Sequence, residues 1–95
     1  MAEHRRITII VKGKNTYDKW TLTQWIYEIK DILEEEYNIE ISVQEETTND
    51  EYPIIAVEGI DVYEGLPGEE GYLIEILKKV LDEILQRKTK QDMEI

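Results

Sequence analysis

The chain has 95 residues, 41% of them hydrophobic and 35% charged, a composition typical of one small globular domain. It contains no cysteine and a single histidine, His4, which excludes thiol chemistry, disulfides, thiolate metal sites and a multi-histidine metal site within one subunit. The formal net charge of −11 disfavours binding to nucleic acid or to anionic membranes.

The composition also carries expectations about location and domain count. The longest apolar run is about five residues, too short to span a membrane or to act as a signal peptide. Glutamate and isoleucine are heavily used, as in proteins of thermophiles. We therefore expect a cytoplasmic protein that folds as one domain over residues 1–95, with its core at about 5–88 and a frayed tail at 89–95.

The first predicted elements are a strand and a helix. RITIIV at 6–11 is β-branched almost throughout and apolar on both faces, which predicts a central strand at about 5–12. Thr21 and Gln24 have the spacing of a capping box, and Trp20 and Trp25 occupy the positions of a hydrophobic staple. This pattern predicts a helix that begins at Thr21 and ends at Asn38 in a left-handed conformation.

Three strands and a second helix follow in the pattern. IEISVQ at 39–44 alternates as a half-buried strand should, and a polar loop at 45–51 separates it from the next run. YPIIAV at 52–57 and IDVY at 60–63 flank a two-residue turn with glycine, which predicts a hairpin. The last helix is predicted from an apolar stripe at helical spacing: Leu73, Ile76, Leu77, Val80, Leu81, Ile84 and Leu85.

The order of the elements predicts the fold class. A βαβ unit comes first and should form a right-handed parallel crossover, and a ββα unit follows. Pairing the third strand with the first gives a four-stranded mixed sheet in the order 2-1-3-4. We predict an α/β fold, specifically an α+β two-layer sandwich, with two helices mainly on one face. A ferredoxin-like fold would need a strand after the last helix, for which residues 93–95 are too few.

This βαβ-ββα order, with Pro53 at the start of the third strand, resembles the thioredoxin-like fold. The stretch IIAVEGIDVYEGLPGEEGYLIEIL at 54–77 is similar in layout to the selenoprotein W-like branch, and the resemblance covers about 5–88. In that family the redox thiols lie in the loop after the first strand, here 12–19, where this chain has none. Thiol–disulfide exchange needs a thiolate, so the resemblance implies a redox-inactive thioredoxin-like domain. The family's proline, which corresponds to Pro53, is commonly cis.

The loop after the first strand, KGKNTYDK at 12–19, is the candidate for a small-anion or phosphate site. Basic and polar side chains stand there beside the start of a helix, whose free amides favour anions: Lys12, Lys14, Asn15, Thr16 and Lys19. A single glycine is far from a nucleotide-binding fingerprint, and a solvated loop explains the same residues. No cofactor or metal is expected, and the absence of a catalytic motif disfavours an enzyme.

Alternation along the strands predicts which residues the helices cover. The opposite face then keeps an uncovered apolar strip, made of Ile10, Ile54, Ala56 and Tyr63. Contiguous exposed apolar surface usually marks an interface. We therefore expect action by protein–protein interaction, as a homodimer or with a protein partner, through this open face. The alternatives are that loop 45–52 or the tail covers the strip, and that the protein is a small-anion-binding or enzymatic domain using the basic loop.

Overall fold

The computed structural model describes residues 5–93, and side chains as far as Leu85. His4 and the last two residues lie outside the described part. The helices and strands follow in the predicted order: β1 (Arg5–Gly13), α1 (Tyr17–Tyr37), β2 (Ile39–Thr47), β3 (Ile54–Val57), β4 (Ile60–Glu64) and α2 (Glu70–Met93). The backbone of α2 continues past residue 88, into the segment expected to be a tail.

The four strands form one mixed sheet in the order β2-β1-β3-β4, which confirms the predicted order and the α+β class. β1 runs parallel to β2, with Ile7 opposite Ile41, and antiparallel to β3, with Ile10 opposite Ala56. Three alternate residues of β1 form the centre of a single core with leucines and isoleucines of the helices: Ile7, Ile9, Val11, Leu22, Ile26, Leu33, Leu73, Leu77 and Leu81. Both helices therefore cover the same face of the sheet.

The start of α1 differs from the prediction. The helix begins at Tyr17, and Thr16 is its N-cap, with its Oγ1 accepting a hydrogen bond from the Lys19 amide at 3.2 Å. The predicted capping box at Thr21 is wrong, and so is the staple, because Trp20 is 58% exposed and stacks on Tyr17. The third helical residue here is a lysine rather than glutamate or glutamine, so the true start lacks the capping-box signature.

The end of α1 is as predicted. Asn38 adopts the left-handed conformation, with φ 56° and ψ 52°, and its backbone N–H donates to the carbonyl of Glu34. The residue that follows begins β2, so the helix and the strand are joined by one residue. Asparagine tolerates this conformation better than most residues, which explains why the helix stops there.

The β3–β4 hairpin is confirmed, but it contains a β-bulge. The turn residues Glu58 and Gly59 both have positive φ, as a tight hairpin requires. Ile55 pairs with Tyr63 and Ala56 with Asp61, so Val62 is an extra residue on β4. Beyond it the alternation of faces is reversed.

The bulge corrects one predicted interface residue. Residues directly opposite in an antiparallel pair share a face, so Tyr63 lies with Ile55 on the helix side. Its ring meets that of Tyr72 in α2 edge-on, with centroids 6.2 Å apart. The prediction that Tyr63 lies beside Ile10 on the open face is therefore wrong. Ile60 is opposite Val57 and so belongs to the helix side, yet it is 62% exposed because β4 is the outer strand of the sheet.

Neither helix has, within the described residues, an apolar stretch long enough to cross a lipid bilayer. The peptide bond before Pro53 is trans, whereas the resemblance makes a cis bond common at that position.

Candidate functional site

The short connection from β1 to α1 is built on a close backbone approach. Gly13 ends β1 with φ +139°, and a Cβ at this position would lie 3.2 Å from the Cα of Pro53. The loop before β3 is held against the connection, because the Lys14 amide donates to the Asp50 carbonyl and the Thr48 amide to the Gly13 carbonyl, both at 3.1 Å. Only residues 14–16 separate the strand from the helix.

Lys19 is the buried charge of this connection. Its side chain is in the first turn of α1 and the residue is 2% exposed. The ammonium donates to the Gly13 carbonyl at 3.1 Å, to Asn15 Oδ1 at 3.2 Å and to the Glu46 carbonyl at 3.1 Å. These three bonds use all its protons. Lys19 therefore joins the ends of β1 and β2 to the start of α1, instead of facing an external anion.

The other predicted anion-site residues have separate partners. Lys12 Nζ lies 2.8 Å from Asp61 Oδ1, and this hydrogen bond raises the pKa of Lys12. Lys14 Nζ lies 3.2 Å from Glu51 Oε2 at the surface. The structure brings Asn15, Thr16 and Lys19 together, but the three lysine ammonium groups bind different acceptors.

The open sheet face does bring three of the four predicted interface residues together. Ile10 lies opposite Ala56, and Lys12 lies opposite Ile54, so the three apolar side chains are neighbours. Ile10 and Ile54 are half-buried and Ala56 is buried. Two ion pairs flank them: Lys12 with Asp61, and Arg6 with Glu40 at 3.1 Å. The apolar strip is therefore smaller than the sequence predicted, and ion pairs flank it.

A contact between two acids was missed by sequence reasoning. Glu28 in α1 and Glu70 in the first turn of α2 lie close enough for their carboxyl groups to share a hydrogen bond, which raises the pKa of Glu70. Partial loss of solvent and repulsion between the two charges raise it further. No group of three or more potential metal-ligating side chains occurs among the described residues. The pair is thus an electrostatic feature of the helix contact.

We expect Glu28→Gln to raise the melting temperature at neutral pH. A raised pKa means that the folded state binds the Glu70 proton more tightly than the unfolded chain does. As the pH rises above the ordinary pKa of a carboxyl group, the wild-type pair therefore lowers the stability of the folded state. Glu28→Gln removes this destabilisation. Melting curves should show the largest gain at about pH 7 and little gain near pH 4.

Glu45→Gln is the matched control for this prediction. It removes one charge from an exposed position in β2, so it measures the general relief of the net negative charge. An equal gain in both variants, or a gain that does not change with pH, would contradict the proposed contact between Glu28 and Glu70.

A groove runs between β4 and α2 on the helix side, and the sequence pattern does not predict it because strict alternation places its wall residue Tyr63 on the other face. Its volume is about 490 Å³. Five apolar and three charged side chains line it: Val62, Tyr63, Tyr72, Ile76, Val80, Glu75, Lys79 and Glu83. We call this surface the α2 groove.

Comparisons with protein-family profiles, with curated proteins and with solved structures found no match for this chain.

Proposed function

We propose that this protein is a redox-inactive thioredoxin-like domain that acts by protein–protein interaction and associates with a second copy through its open sheet face. The thioredoxin-like part of the proposal is supported by the βαβ-ββα element order and the absence of any thiol. Its place in the cytoplasm belongs to the same proposal and rests on composition alone. No specific observation favours the anion-binding alternative, because the lysines of the basic loop bind separate protein acceptors.

The observation that carries the proposal is that both helices pack on one side of the sheet. The other side keeps Ile10, Ile54 and Ala56 together on the two central strands of the sheet, β1 and β3. Sheets that pack face to face bury such residues between them.

The charges on this face suit a second copy of the same chain. β1 contributes cations, Arg6 and Lys12, and the flanking strands contribute acids, Glu40 and Asp61. A two-fold interface pairs a surface with itself, so it needs both signs on the same surface. The chain as a whole is strongly acidic, and the cations that lie beside acids on this face reduce the repulsion between copies.

Light scattering over a dilution series tests the proposal. We expect a mass of twice the 11.3 kDa chain, and a single-chain mass for Ile10→Lys and for Ile54→Lys. Two variants are used because Ile10 lies in a central strand and its substitution could impair folding, which circular dichroism would show. Ile32→Lys, at a 51% exposed position of α1, is the matched control and should stay dimeric. A single-chain mass for the wild type at every concentration would refute self-association.

A further inference from the structure

The two outer edges of the sheet are treated differently. At β2, side chains of α1 occupy the backbone groups that a further strand would use. Glu34 Oε2 accepts from the Ile41 amide at 2.8 Å, Lys30 Nζ donates to the Ile41 carbonyl at 3.3 Å, and the Tyr27 hydroxyl donates to the Val43 carbonyl at 3.5 Å. These bonds block strand pairing at Ile41 and Val43, and we call this the closed edge.

The edge at β4 has no such protection within the described part of the chain. No hydrogen bond outside the hairpin reaches the backbone of Ile60–Glu64 from any described residue. Val57 and Ile60 flank the two-residue turn and form a hydrogen-bonded pair. The next pair, Ala56 and Asp61, is not hydrogen-bonded, so the N–H and C=O of Asp61 point away from β3. β4 therefore offers free backbone groups to an added strand.

The surroundings of β4 differ on the two sides of the sheet. On the helix side lies the α2 groove, with Tyr63, Tyr72 and Ile76 in its wall. On the open side lie Asp61 and Glu64, the residues paired with Ala56 and Ile54. Glu64 has no ion-pair partner among the described residues, and neither do Glu75 and Glu83 in the groove. An added strand would thus meet an apolar groove on one side and carboxylates on the other.

We propose that β4 binds an extended peptide segment with alternating apolar and basic residues, which adds a fifth strand to the sheet. Successive side chains of a strand point to opposite faces, so the apolar set would enter the α2 groove and the basic set would face Asp61 and Glu64. The strand would be added along the outer edge of β4, and the proposal does not depend on self-association through the open face.

Charge favours this occupant over a second copy of β4. The strand has five residues and two of them are acids, so antiparallel pairing of β4 with its own copy would bring like charges close together. The α2 groove adds two glutamates against one lysine, Lys79. The basic side chains of the segment lie on the open side and meet Glu64 there, because Asp61 already binds Lys12, and the net negative charge of the groove also favours a basic rather than an acidic segment.

The test is an NMR titration with three synthetic peptides of about eight residues, long enough to pair along β4. One alternates valine with lysine, one alternates valine with glutamate, and one has the valines and lysines of the first in two blocks. We expect binding of the alternating lysine peptide only, with slowed hydrogen exchange at the Asp61 amide and no change at the Ile41 amide. Glu64→Lys should weaken that binding about fivefold, the size of one exposed ion pair, and should admit the glutamate peptide.

Glu45→Lys is the matched control, since it makes the same charge change at an exposed position of β2, the closed edge, and should leave the affinity unchanged. Three results would overturn the proposal. These are no binding of any peptide, equal binding to the wild type and Glu64→Lys, or an Asp61 amide already protected in the free protein because β4 pairs with a second copy. Both variants can be checked for folding from their amide spectra before the titration.

Discussion

Lys19→Met should lower the free energy of unfolding by about 3 kcal/mol. Methionine keeps the length of the side chain but has no proton to donate to the Gly13 and Glu46 carbonyls or to Asn15 Oδ1. Leaving these buried oxygens without a charged donor destabilises the folded state. Part of this loss is offset, because the variant no longer buries an ammonium group. Urea denaturation followed by circular dichroism measures the difference.

Lys14→Met is the control for this prediction. It is the same substitution five positions earlier, at a lysine whose ion pair with Glu51 is largely exposed, and it should cost less than about 1 kcal/mol. If the two variants had equal stability, the buried ammonium would contribute nothing beyond a surface charge, and the structural role assigned to Lys19 would be wrong.

Gly13→Ala should also lower the free energy of unfolding by about 3 kcal/mol, because of backbone strain rather than lost hydrogen bonds. Gly13 has φ +139°, a conformation that residues with a Cβ rarely adopt, and the added Cβ would lie 3.2 Å from the Cα of Pro53. Backbone cannot move aside as a flexible side chain can, so β1 and the entry to β3 would have to separate. The thermal midpoint should fall by more than about 10 °C for a domain of this size.

Gly68→Ala provides the comparison for Gly13→Ala. No atom lies within 4 Å of the position its Cβ would take, so we expect little change in the thermal midpoint. A Gly13→Ala variant as stable as Gly68→Ala would show that the close approach between the end of β1 and Pro53 does not constrain the fold.

Element order and sheet order could be predicted from the sequence because they depend on patterns that extend over many residues. The run at 6–11, the alternation at 39–44 and the two-residue turn at Glu58 and Gly59 each determine an element without reference to the others. Asn38 could be predicted as the end of α1 for the same reason, since the left-handed conformation favours few residue types.

The errors arose where a single residue decides the outcome. Val62 is one extra residue on β4, and it transfers Tyr63 from one face to the other, which strict alternation cannot anticipate. Thr16 begins α1 without the glutamate or glutamine of a capping box, so the sequence pattern favours Thr21 as the start instead. Lysine is almost never fully buried unless its charge is bound, so the sequence alone favours a solvated Lys19, whereas the residue is buried.

The closed edge at β2 also limits how far the sheet can be extended. Edge-to-edge growth into a fibre requires each molecule to offer two adhesive edges, one for the chain before it and one for the chain after it. Here Glu34, Lys30 and Tyr27 occupy backbone groups of Ile41 and Val43 on one edge. A copy that joins the sheet at β4 therefore offers a protected β2 edge to the next copy, which disfavours growth into a fibre.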